Sequence, residues 1–345
     1  MRLRRVESIG VATVFAAAIA ALSLTTVRVA AQTSSETPWG HPDLQGVWAS
    51  DSATPLERLK TLGNREFLTD EEVALLQQKA AELFNGETDA AFGDSVYEAV
   101  LNKATAFTSS DTTTGNYNQF WLIDRWFENR TSLIVDPPDG RIPQLTPEGE
   151  QRKQVAAAKR DGDRGDGTLP AGPEDLNGGL RCTGSRLPMT GRGYNSNYQI
   201  VQSPDYVVIN MEMMHDSRII PLGGHAEMHS DIRSYMGNSH GRWEGDTLVV
   251  ETTNLRSGGQ AGPSTGEHLR LTERFSRPTG DTLRYEFTVE DPTTWTKPWT
   301  AVIFMRPAPG TGLMYEFACH EGNYAIRNTL SGARAQERAD AGGSR

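Results

Sequence analysis

From Tyr198 onward apolar residues fall at every second position in short runs, and turns rich in Gly, Asp and Pro separate the runs. That alternation puts successive side chains on opposite faces of a strand. It predicts strands over Tyr198–Val201, Tyr206–Met213, Arg218–Leu222, Thr247–Thr253, Leu269–Phe275, Leu283–Glu290, Trp299–Met305 and Leu313–Ala318. Ser203-Pro204-Asp205, Glu244-Gly245-Asp246 and Pro278-Thr279-Gly280-Asp281 supply the turns. The fold class expected is mostly β: an antiparallel meander of about eight strands that closes into a barrel, with a few N-terminal helices.

Before Tyr198 the period changes. Thr69-Asp70-Glu71-Glu72 is a capping box, and the helix it opens runs to about Phe84 with Val73, Leu76, Ala80 and Leu83 on one face. Thr146-Pro147-Glu148 opens a second helix, to about Arg160. Asn118–Ile123 and Ser132–Val135 read as short strands, and Gly46-x-Trp48 opens a first strand whose tryptophan plugs a barrel end. Asp161–Asp175 is a Gly/Asp/Pro-rich loop, and Ala325–Glu337 is a closing helix. The divisions expected are a leader over 1–31, an N-terminal extension over 32–175, the barrel over 176–337 and a frayed tail over 338–345.

The leader changes the picture most. A basic head, Met1-Arg2-Leu3-Arg4-Arg5, precedes the apolar run Ile9–Leu24 and the small residues Val29-Ala30-Ala31. These are the parts of a cleaved secretory signal, with cleavage near Ala31, and they predict a bacterial periplasmic or secreted protein. The run is short for a membrane anchor, and no later stretch is long and apolar enough to span a bilayer. The net charge is −10, and the leader holds four arginines against one glutamate, so the body is more acidic still. Nucleic acid and anionic lipid are therefore not expected as partners. Cys182 and Cys319 are the two cysteines. In an oxidising compartment they read as one disulfide, with two buried thiols as the alternative.

Three clusters have residues suited to chemistry. In Leu269–Phe275 the carboxylate of Glu273 shares parity with Leu269, Leu271 and Phe275, so it faces inward. An inward carboxylate is paired with an arginine, or it is an acid or base with a raised pKa. The strand Leu283–Val289 alternates without exception and reads as ordinary. Glu212, His215 and Arg218 form a second cluster, in which His215 beside a carboxylate is an acid/base pair or a solvated strand end. Adjacent strand residues face oppositely, so the pair works only where the strand ends or bulges. His225-x-x-x-His229 has metal-ligand spacing but loop-like flanks, and no third ligand is fixed. No other cofactor is expected: the chain lacks a phosphate loop, a nucleophile elbow and a metalloprotease helix.

Four stretches resemble a family of secreted bacterial proteins of acidobacterial and sphingomonad type. They are Trp39–Trp48, Tyr194–Gln202, Gly241-Arg242-Trp243-Glu244-Gly245-Asp246-Thr247-Leu248-Val249-Val250, and Cys319-His320-Glu321-Gly322-Asn323-Tyr324. The resemblance spans nearly the whole chain after the leader and implies a lipocalin-like barrel, with no settled activity to carry over. Where that family commonly reads Asp-Gly-Arg-x-His after Ile-Ile-Pro-Leu, this chain has Gly223-Gly224-His225-Ala226-Glu227, so His225 and His229 look peculiar to it.

The expectation that follows is a barrel acting on one small apolar or aromatic molecule. As an enzyme it uses His215, Glu212, Glu273 and Arg218 for cofactor-independent acid/base chemistry of the lyase, isomerase, cyclase or hydrolase kind. Tyr198, Asn197, Trp243, Trp121 and His320 are the candidate ligand contacts. The alternatives are a ligand-binding protein without turnover and a protein using a divalent metal at His225 and His229.

Overall fold

The computed structural model describes residues 36–342 except 85–94, 102–124, 163–168, 177, 184–186, 192–193, 224–227, 257–264 and 311. The leader, the strand expected over 118–123, Trp121, His225 and part of the 161–175 loop lie outside the described residues.

Ten strands and four α-helices follow in chain order among the described residues. The strands are β1 Gly46–Ala49, β2 Ile134–Asp136, β3 Asn197–Gln202, β4 Tyr206–Met211, β5 Ser217–Pro221, β6 Asn238–Glu244, β7 Thr247–Thr253, β8 Arg270–Thr279, β9 Thr282–Glu290 and β10 Trp299–Pro307. The helices are α1 Asp70–Leu83, α2 Ser95–Leu101, α3 Pro147–Gly162 and α4 Ala325–Gly342. The chain is mostly antiparallel sheet, and its strands form a nearly closed barrel in the order β5-β4-β3-β1-β10-β9-β8-β7-β6. The expectation of an antiparallel barrel holds. Its first strand comes from the stretch read as an N-terminal extension: β1 pairs with β3 on one side and β10 on the other.

Closure rests on a small residue. Leu222, just past β5, bridges to Gly241 on β6. A Cβ on Gly241 would come 2.7 Å from Leu222 Cδ2 and 3.0 Å from Ile220 Cγ2, so glycine is what lets the two edge strands meet. The inner face is an aromatic and aliphatic core. Phe275, Tyr285, Phe287 and Trp299 follow one another at ring-centroid distances of 5.0, 5.4 and 5.8 Å. Such offset and edge contacts add to the burial energy of each ring.

One end of the barrel is sealed by the segment before β1. Trp48 is buried, and its indole N–H donates to Leu44 O at 2.9 Å. The Arg277 guanidinium lies 5.3 Å from the Trp48 ring and donates to Asp43 O at 2.8 Å. Gln202 accepts from Leu44 N at 2.6 Å and donates to Pro42 O at 3.0 Å. His41 stacks on Trp243 at 4.7 Å with planes 13° apart. Trp48 is thus packed in the barrel core beneath this segment, and Trp243 stacks on the same segment through His41.

A second segment enters the interior. Leu187 and Met189 are each 1 % exposed and join the same core as the strand residues, although neither lies in a strand or helix. Gly191, just after them, runs so near Ser50 that a Cβ would sit 2.6 Å from its carbonyl O. Before them Cys182 and Cys319 form the expected disulfide. Asn323 donates to Leu180 O at 2.9 Å, and Arg334 on α4 donates to Pro170 O at 2.7 Å and Ala171 O at 2.9 Å. The C-terminal segment thus clamps the 170–182 stretch.

The local expectations hold for the helices. Thr69 accepts from Glu72 N at 3.3 Å while Glu72 accepts from Thr69 N at 2.8 Å, the reciprocal box that starts α1. Leu76 and Leu83 pack with Ala53, Leu68, Tyr97, Val100 and Phe127 in a separate small core. Two expectations fail. Leu313–Ala318 forms no strand, because β10, which precedes it, is already flanked by β9 and β1. The tail expected from 338 onward is helical to Gly342.

Candidate functional site

The barrel core holds an ionic cluster. Arg218 on β5 and Glu273 on β8 are 3 % and 0 % exposed and meet across the interior. Arg218 donates from both terminal nitrogens to the two carboxylate oxygens, at 2.9 and 2.6 Å. The planar fork against the planar carboxylate is the strongest geometry an ion pair has. Strand alternation puts both there: Arg218 is flanked by exposed Ser217 and Ile219, and Glu273 lies between inward Leu271 and Phe275. Of the two sequence readings for Glu273, internal pairing with an arginine is the one realised.

The cluster extends to three strands more. Arg218 also donates to Thr252 Oγ1 at 3.1 Å and Ser239 Oγ at 3.2 Å, and those two hydroxyls lie 2.9 Å apart. The Tyr285 hydroxyl donates to Glu273 at 2.8 Å and accepts from Met189 N at 3.1 Å. The Nε of Arg218 is buried and has no hydrogen-bond partner among the described residues. Burial pulls the Arg218 pKa down, but the charge and hydrogen bonds of Glu273 outweigh it and raise it overall. Burial, reinforced by the Glu273 charge, pushes the Tyr285 hydroxyl well above its ordinary range. Tyr285 is therefore a neutral donor and Arg218 a permanent cation.

The other candidates are dispersed. Glu212 is buried just past β4, where its carboxylate accepts from Asn197 N at 3.2 Å and Asn197 Nδ2 at 2.8 Å. His215 is exposed in a turn of 3₁₀ helix that breaks the strand, with Met214 and His215 at φ 62° and 58°. Its ring makes no hydrogen bond or ion pair with Glu212, Arg218 or Glu273, so of the four expected catalytic residues only Arg218 and Glu273 pair with each other, while Glu212 and His215 lie apart from them. The strand does end there, as the pairing of His215 with a carboxylate required, but the turn carries the imidazole outward.

Tyr198 is an inward core residue of β3, opposite Trp48 and Met211. Trp243 is held against His41 at the sealed end. His320 is exposed in the turn after Cys319. His229 is exposed too; its Nδ1 accepts from Asp231 N at 3.3 Å. Among the described residues no three His, Cys, Asp or Glu side chains converge as a metal site would require.

Sequence reasoning passed over Tyr285, Thr252, Leu187 and Met189. Tyr285 carried a usable signal: a tyrosine on an otherwise apolar inward face needs a partner for its hydroxyl, and Glu273 was the inward acceptor. Leu187-Pro188-Met189 carried none beyond two apolar residues in a polar stretch. No protein-family model, no curated protein and no solved structure matches this chain.

Proposed function

We propose that this chain is an exported barrel protein that binds one small, mostly apolar molecule at the Arg218–Glu273–Tyr285 cluster. The carrying observation is the buried ion pair inside an aromatic interior. A barrel core selected for stability alone gains little from such a pair, since apolar residues of similar volume serve as well or better. An apolar enclosure with a few convergent polar groups is what a small-molecule site consists of. The leader pattern and the Cys182–Cys319 bond support export to an oxidising compartment. The four stretches that resemble a secreted bacterial family fit that reading.

Binding is favoured over turnover. Glu273 already accepts three hydrogen bonds, Glu212 is engaged by Asn197, and His215 lies outside. Acid/base turnover is the second reading, favoured by the donor–acceptor contact of Tyr285 with Glu273 inside a core that excludes water. A melting-temperature screen of uncharged aromatic and terpenoid alcohols separates the outcomes. Ligands are expected to raise the midpoint of the natural protein and not that of Arg218→Met/Glu273→Leu; an equal rise in both sinks the site. Recovery of a bound compound chemically altered would establish the second reading.

A further inference from the structure

Leu187 and Met189, which lie in no strand or helix, are packed into the same core as the barrel strands. We propose that this strap is the resident plug of the barrel, and that an uncharged, largely apolar molecule bearing a hydroxyl enters by displacing it. This inference rests on the small-molecule reading above and specifies its ligand and mode of entry.

The strap is held differently from everything around it. The strands between β5 and β6 in the barrel order are fixed by hydrogen-bonded ladders on both sides, and β5 and β6 by one ladder each. The strap instead buries Leu187 and Met189, donates from Met189 N to Tyr285 and from Thr190 N to Pro188 O. A molecule of similar apolar volume restores the burial that the two side chains give up. The strap stays attached when displaced. Cys182, five residues before Leu187, is bonded to Cys319, and Gly191 is seated against Ser50.

The cluster also states what the ligand carries. Tyr285 gives its hydroxyl hydrogen to Glu273, so toward the strap it acts as an acceptor, and an incoming molecule must replace the Met189 N–H with a donor. Among the described residues the buried Nε of Arg218 has no partner, so it suits an acceptor. A hydroxyl group donates to Tyr285 and keeps lone pairs for a second bond, so it is compatible with both needs. The Arg218 and Glu273 charges cancel, so a ligand carboxylate or phosphate would be buried without a counter-charge.

The test uses the full-length mature protein with its disulfide intact, and 1-naphthol, naphthalene and 1-naphthoate as probes. Calorimetry gives affinity and stoichiometry, and hydrogen–deuterium exchange follows the peptide spanning residues 187–190. The expected result is one 1-naphthol per chain, bound about tenfold tighter than naphthalene, the worth of one good hydrogen bond, with 1-naphthoate weaker still. Exchange at Met189 speeds up at saturation. Leu187→Ala, alone and with Met189→Ala, tightens 1-naphthol by roughly tenfold because the plug no longer competes, and Tyr285→Phe removes the preference for 1-naphthol over naphthalene. Binding of 1-naphthol with exchange over 187–190 unchanged would overturn the plug and leave a small-molecule protein with its site elsewhere. No binding of any probe to the natural protein or to cooperatively melting Leu187 variants would overturn both readings.

Discussion

Arg218 and Glu273 set the energetic character of the interior. Each is shielded from water, and each is tolerable there because the other is present. Removing one leaves an uncompensated buried charge, which costs on the order of 3–5 kcal/mol. Urea denaturation of Arg218→Met and of Glu273→Leu is expected to show that loss in each single variant and recovery of most of it in the double variant. Additive losses would mean that the two side chains do not depend on each other. Half of this pair was legible in the sequence. The parity of Glu273 among Leu269, Leu271 and Phe275 put it inside, but its partner lies fifty-five positions away on β5, and only barrel closure brings them together. His215 was read from its neighbours in sequence, and two residues at positive φ place it exposed in a turn, away from Glu273 and Arg218.

Elements followed the sequence wherever one periodicity prevailed over a whole segment. β7 occupies the expected Thr247–Thr253, and the capping box starts α1 at the expected place. β6 was not expected, because Gly241, Arg242 and Glu244 interrupt its apolar alternation. Those residues serve the seam with β5 and an outer charge ladder, in which Arg242 meets Glu244 at 2.8 Å and Glu251 at 2.7 Å. The connection between β9 and β10 is organised by Asp291, which is buried and accepts from Gly266 N, Thr293 N and the hydroxyls of Thr293 and Thr294 at 2.6, 3.0, 2.7 and 2.5 Å. Burial alone would raise its pKa, but the hydrogen bonds outweigh it and hold the carboxylate below the ordinary range. A carboxylate whose folded pKa is depressed stabilises the fold above its unfolded value, about 3.9, and loses that contribution as pH falls through the folded one. Asp291→Asn should therefore cost about 1–3 kcal/mol at neutral pH and flatten the acid limb of a stability–pH profile. An unchanged acid limb would remove Asp291 from the account.

At the scale of the molecule, the barrel class was legible because it depends on local alternation and turns. The strap was not, because its position depends on what the closed barrel leaves unfilled. The resulting arrangement has Trp48 and the 37–44 segment packed against the ends of β3 and β8, an ion pair buried within the core, and Leu187 and Met189 in the same core, with Met189 bonded to Tyr285 and the chain tied back through Cys182 to the C-terminal segment. Among the described residues no helix is long and apolar enough to cross a membrane. The central claim is that this interior holds a small molecule. Native mass spectrometry of the protein isolated from its natural source, compared with its denatured mass, tests it. A stoichiometric organic adduct is expected that is released on denaturation, carries no net charge, and is missing from the Arg218→Met/Glu273→Leu protein. An adduct retained at full stoichiometry by that double variant, or a stoichiometric metal in place of an organic molecule, would contradict it.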